Sequence, residues 1–187
     1  MMRRDRLTDW LQRHGETHLA RLAPVNRNLS SLRLRRRQSE VHVSPAFVLL
    51  HTFAHVLVNQ LVYESGYGSA SLRERIYFSD GEAGMAGILI YTAAGDSEGT
   101  MGGLVRMGEP GLLDQTIDRA LDHARWCSTD PVCIESPGQG PDNCNLAACH
   151  ACALLPETSC EEQNRLLDRG VLVGTLDHPE IGFFSDV

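Results

Sequence analysis

The stretch from Cys127 to Cys160 constrains this chain more than any other part of it. All six cysteines fall there, spaced Cys127-x5-Cys133-x10-Cys144-x4-Cys149-x2-Cys152-x7-Cys160 among prolines, glycines and polar residues. Fixing one residue's backbone costs about 1–2 kcal/mol, and a segment so poor in large apolar side chains recovers little of that by burial. It needs a cross-link. The CxxC turn of Cys149 and Cys152 puts two sulfurs on one side of a tight loop, which suits the roughly 2.3 Å bonds of tetrahedral zinc. A structural zinc supplies on the order of 10 kcal/mol of apparent folding free energy. A metal-clasped lobe without long regular elements is therefore expected over residues 127–159.

The rival readings of these thiols lack supporting pattern. The start, MMRRDRLTDWLQ, has basic residues but no apolar segment behind them, so it does not read as a secretory signal. No run approaches the roughly 18 apolar residues of a membrane span, so a cytoplasmic location without membrane contact is expected. Reduced thiols there favour metal binding or redox chemistry over disulfides. A thioredoxin-like pair needs a strand ahead of its CxxC, and AACHACALL has none. A zinc deaminase needs H-x-E ahead of P-C-x-x-C. Here the H-x-E is His14-Gly15-Glu16, and Ala147-Ala148 stand where the proline belongs. Cysteines as small apolar filler are the plainest alternative, and a thiol redox regulator is a further function class. His150, inside the CxxC, competes poorly as a ligand because neighbouring residues rarely bind one ion together. A thiolate set points to zinc or iron–sulfur, and one structural Zn2+ is the expected cofactor.

Charge is unevenly spread. All seventeen basic residues are arginine, which removes P-loop, Schiff-base and kinase-type lysines from consideration. Residues 1–44 hold ten arginines against four acids, a balance of +6, whereas the remainder stands at −13. The densest run, Arg33, Arg35, Arg36 and Arg37, is the expected nucleic-acid contact, with a solvated charge run as the alternative.

The chain reads as α+β. DRLTDWLQRHGETHLARLA forms a helix with Leu7, Leu11, Leu19 and Leu22 on one face, ended by Pro24. SPAFVLLHTFAHVLVNQLVYESG gives the central buried helix, with Ser44 as N-cap, Pro45 at the first position and Gly66 as its stop. SLRERIYF and GILIYTAA pair as antiparallel strands, and GDSEGTMGGLVRMGEPG is a glycine-rich loop entering a brief helix near Leu104. GLLDQTIDRALDHARW is a helix with a stripe of Leu112, Leu113, Ile117, Ala120, Leu121 and Ala124. A last helix is expected from SCEEQNRLLDRGVLVG, capped by Ser159 with Glu162 in the capping-box position. The segments are a basic N-terminal helix and arm (1–44), a zinc-binding domain (45–176) and a C-terminal tail (177–187).

His51 and His55 lie four apart on the central helix, the spacing of paired metal ligands, although two buried imidazoles bonded to neighbouring groups is the blander reading. A metal-dependent hydrolase or nuclease using them with Asp96 and Glu98 is the alternative function. No complete catalytic constellation is visible, so the chain is read as non-catalytic.

HTFAH, GILIYTAAGDSEGTMGGL, WCSTDPVCIES and NLAACHACALLPETSCEEQNRLLDR, in this order, resemble the MrfA-like zinc-binding domain. That domain lies at the C-terminus of a group of DNA helicases and of DrmB, a component of the DISARM antiphage system. The likeness covers roughly residues 46–174 and is nearest the DrmB branch, whose proteins are much longer. It implies one zinc held by four of Cys127, Cys133, Cys149, Cys152 and Cys160, with Cys144 the weakest donor. It also implies an accessory or docking role toward a helicase or translocase partner, with DNA reached through the arginine arm. His51 and His55 match a similar helix in the family.

Overall fold

A computed structural model of the chain describes residues 4–39, 42–79, 84–93 and 102–186. Among them are five α-helices and one two-stranded antiparallel sheet, an α+β arrangement. Helix α1 is Arg4–Arg35, α2 Pro45–Ser65, α3 Gly102–Met107, α4 Leu112–Ala124 and α5 Gly170–Val173; strands β1 and β2 are Leu72–Phe78 and Ala86–Thr92.

Helix α2 is the axis of the molecule. Ser44 caps it, its hydroxyl accepting from the Phe47 amide at 3.2 Å, with Pro45 following. Gly66 ends it at φ 72°, a left-handed conformation that favours glycine. Val48, Leu49, Ala54 and Val58 are fully buried. Among the described residues α2 is the helix long and apolar enough to cross a membrane, yet 72% of its apolar window is buried inside the protein. It is a core helix, packed by α1, α4, α5 and the sheet.

Helix α1 does not stop at Pro24. It runs on to Arg35, because Leu22, Val25, Leu29 and Leu32 continue the buried stripe of Leu7 and Trp10 across the proline. That packing offsets the roughly 3 kcal/mol an internal proline costs. Leu19 is 53% exposed, and His18 takes the inward place beside Trp10, ring centroids 4.7 Å apart. Residues near both ends of the chain share this core. The Trp10 indole donates to the Ile181 carbonyl at 2.8 Å, and Phe183 meets the Trp10 ring edge-on. Gly174 (φ 84°) is required where the chain doubles back, since a Cβ there would overlap the Pro179 backbone.

The hairpin pairs Leu72 with Thr92 and Phe78 with Ala86. Leu72, Glu74, Ile76 and Phe78 face inward, and Arg73, Arg75 and Tyr77 face solvent. Its charged inward residue, Glu74, is buried.

The closing helix expected from Ser159 onward does not form. Residues 157–159 make a single 3-10 turn, and Gln163, Asn164 and Leu166 adopt left-handed backbone at φ 54°, 58° and 63°. The backbone bonds here go to the neighbouring strand of chain instead of back along a helix. Leu166 donates to the Cys144 carbonyl at 2.8 Å, Leu146 to the Leu167 carbonyl at 2.9 Å, and Arg169 to the Ala147 carbonyl at 2.9 Å. The Asn164 side chain bonds both backbone groups of Leu155, at 2.9 and 2.7 Å. With these backbone groups bonded across the lobe, a local helix has little left to gain. Ser159 instead donates its hydroxyl to the Ser69 carbonyl. Helix begins only at Gly170, as the four-residue α5.

Candidate metal centres

Four of the five expected sulfur donors come together. The Sγ atoms of Cys127, Cys133, Cys149 and Cys152 all lie within 4.8 Å of one another. Four sulfurs about 2.3 Å from one centre stand about 3.8 Å apart at the tetrahedral angle. The observed separations are 3.5 Å for Cys127–Cys149 and 3.8 Å for both Cys133–Cys152 and Cys149–Cys152. These distances fit a zinc ion and are far beyond the roughly 2.05 Å of a disulfide. The donors reach this point from two turns. Cys127 and Cys133 belong to the turn that leaves α4, and Cys149 and Cys152 to the CxxC turn, whose Cys152 and Ala153 amides donate to the Cys149 carbonyl at 3.1 and 3.0 Å.

Hydrogen-bond donors surround the sulfurs, although burial pushes the Cys127 thiol up. The Cys149 amide points at Cys152 Sγ at 3.3 Å, and the Gln139 amide at Cys133 Sγ at 3.5 Å. The Thr129 hydroxyl lies 3.1 Å from Cys127 Sγ and 3.3 Å from Cys149 Sγ. A hydrogen bond from Cys152 lowers the Cys133 thiol, and the same shared bond, with burial, pushes Cys152 up.

A buried ion pair fixes the first turn. Arg169, fully buried, donates to both Asp130 carboxylate oxygens at 2.7 and 2.8 Å and to the Ala124 carbonyl at the end of α4 at 2.8 Å. Asp130 in turn accepts the amides of Cys127 and Ile134 at 2.9 and 3.1 Å. A second pair, Arg21 with Asp168 at 2.8 and 3.1 Å, ties α1 to the lobe, where Asp168 also accepts the Gly170 amide at 2.9 Å.

Cys160, the fifth expected donor, is elsewhere. It is buried with His51, His55 and Glu74, their donor atoms again all within 4.8 Å of one another. His51 Nε2 lies 3.2 Å from Cys160 Sγ and 3.4 Å from Glu74 Oε1. Burial opposes a charge on His51, yet its bonds to Cys160 and Glu74 raise it to about 10. Burial and the neighbouring His51 push His55 well below its ordinary value. Two atoms of this group, His55 Nε2 and Glu74 Oε2, are buried without a hydrogen-bond partner. Each such atom costs about 1–3 kcal/mol if nothing satisfies it. Glu74 was missed by sequence reading, although a carboxylate in register with Leu72, Ile76 and Phe78 on the inward face was the signal.

Of the other residues singled out, Cys144 is buried in the main core, its Sγ 3.5 Å from the Asp142 carbonyl, and His150 is solvent-exposed. Arg35, Arg36 and Arg37 are exposed at the end of α1, and Arg33 reaches the Ser39 carbonyl at 3.3 Å. Asp96 and Glu98 lie outside the described residues.

Comparison with known proteins agrees with the sulfur cluster. Residues 53–153 match the family model of the MrfA Zn-binding domain. Over 139 residues the chain is 47% identical to the DISARM protein DrmB of Bacillus paralicheniformis, an alignment covering 74% of this chain and 24% of that protein. The aligned region thus spans about a quarter of the relative's length.

Proposed function

The chain belongs to the MrfA Zn-binding domain family, and on that premise we propose that it is a zinc-clasped, non-catalytic docking module for a DNA helicase or translocase in a DISARM-like antiphage complex. The observation that carries the proposal is the convergence of Cys127, Cys133, Cys149 and Cys152 at tetrahedral spacing. When bound there, zinc supplies folding free energy and no chemistry of its own, because four protein sulfurs leave no open position for water or substrate. The two turns it joins would become one rigid surface, resting on α4 through Arg169 and on α1 through Arg21. Such a surface suits a partner protein better than a small substrate.

Charge supports a division of labour. The body is acidic, so DNA contact falls to the exposed arginines at the end of α1, whose phosphate contacts would weaken steeply with salt. The motor would be supplied by the partner. The test is co-expression of the chain with the helicase of its own locus, followed by size-exclusion chromatography and metal analysis. A zinc-containing complex, lost in Cys149→Ser/Cys152→Ser, is expected. A zinc-loaded chain that never elutes with the helicase contradicts the docking role.

A further inference from the structure

The partnerless Nε2 of His55 and Oε2 of Glu74 point to a second site, distinct from the four-cysteine cluster. We propose that His51 Nε2, His55 Nε2, Glu74 and Cys160 Sγ bind a second Zn2+, which fastens the cysteine-rich lobe to α2 and β1. The four donors come from three separate parts of the chain: two from α2, one from β1, one from the lobe. All four residues are buried, with 0% exposure at both histidines, 1% at Glu74 and 6% at Cys160.

The geometry suits an ion better than hydrogen bonding alone. Zinc bonds of about 2.0–2.3 Å set neighbouring donors about 3.3–3.8 Å apart, and His51 Nε2 stands 3.2 Å from the sulfur and 3.4 Å from the carboxylate. Each imidazole turns its other nitrogen to a backbone carbonyl. Nδ1 of His55 reaches Ala153 at 2.8 Å, and Nδ1 of His51 reaches Leu166 at 3.3 Å. That contact aims each Nε2 inward, the arrangement that orients metal-binding histidines. Nε2 of His55 has no hydrogen-bond partner, and at His51 a bound ion would displace the proton shared with Cys160 and Glu74. The thiolate and carboxylate are held as well: the Asn164 amide meets Cys160 Sγ at 3.2 Å, and the Glu161 amide meets Glu74 Oε1 at 3.3 Å. Without an ion, two polar atoms remain unsatisfied in the core. With one, a dication is balanced by one thiolate and one carboxylate, so the site is neutral and compatible with full burial. Two imidazoles, a thiolate and a carboxylate are all zinc ligands. A full set of buried protein ligands leaves no open position, so the role is structural.

The proposal is independent of the four-cysteine reading, and one experiment separates them. Full-length protein from zinc-supplemented cells is analysed for metal content and by zinc K-edge X-ray absorption. Two zinc ions per chain are expected, with a shell averaging five sulfurs among eight donors. One zinc with an all-sulfur shell in folded protein overturns the second site. One zinc with a single sulfur among nitrogen and oxygen donors supports it and overturns the four-cysteine reading instead. His55→Gln and Glu74→Gln should each lower the count from two to one and leave an all-sulfur shell, whereas two ions retained in both variants overturns the site. The absorption measurement uses the unaltered chain, so it decides the matter even where a variant fails to fold.

Discussion

Asp130→Ala is the substitution whose cost the structure defines most closely. It strands the Arg169 guanidinium, which has 0% exposure and makes both charge-assisted bonds to that carboxylate. Breaking a buried pair from one side costs about 3–5 kcal/mol, because the remaining charge stays uncompensated. The change also frees the Cys127 and Ile134 amides, which loosens the turn carrying two of the four clustered sulfurs. Denaturant unfolding at fixed free zinc should therefore show a loss of about 3–5 kcal/mol, and zinc should transfer faster to a chromogenic chelator. Arg169→Met added to Asp130→Ala should recover part of the loss, since the charge leaves with its partner. Such coupling is what a double-mutant cycle isolates. A cost under about 1 kcal/mol for Asp130→Ala, or strictly additive losses, would refute a buried pair acting as a unit.

Three further outcomes are expected. The Glu64 carboxyl, bonded by Arg119 at 2.8 Å and by Thr116 at 2.7 Å, is held down to about 2 from an ordinary 4.5. The advantage of wild type over Glu64→Gln should be full above pH 4.5 and vanish as pH falls through about 2. Arg119 is 57% exposed, so that advantage is under about 1 kcal/mol, and urea titrations across pH that close the gap already near 4.5 would contradict the pairing. Pro24→Ala restores a helical amide in α1 and should raise stability by about 1–3 kcal/mol in thermal unfolding, whereas a loss would mean the proline shapes the helix usefully. Arg35→Ala/Arg36→Ala/Arg37→Ala should weaken binding to labelled duplex DNA and flatten the log K against log salt plot by up to about 2.7, at about 0.9 per neutralised phosphate. Unchanged binding removes the arm from the interface.

How much of this was legible in the sequence depended on whether the deciding force was local. The Ser44-Pro45 start, the Gly66 stop and the pairing of β1 with β2 follow from caps, turns and alternation, and they appear as read. Helix α1 crossing Pro24 and the failed helix after Ser159 do not, because long-range partners decide both. Leu22 to Leu32 must reach the core to rescue the first, while Cys144 and Ala147 capture backbone amides of the second and Leu155 holds the Asn164 side chain. The same limit applies at the metal centres. Spacing offered five sulfurs for four places, and only the fold shows four of them together while Cys160 is turned toward His51 and Glu74. The opposed charges of Arg169 and Asp130 lie 39 positions apart, with no pattern linking them.

The central claim is that an ion bound by Cys127, Cys133, Cys149 and Cys152 holds the lobe in shape. Hydrogen-exchange mass spectrometry of the zinc-loaded and chelator-stripped chain tests it most directly. Protection across 127–169 should collapse on stripping while α2 keeps its slow amides. Equal protection in both samples, or folded protein that never contained zinc, would contradict the account.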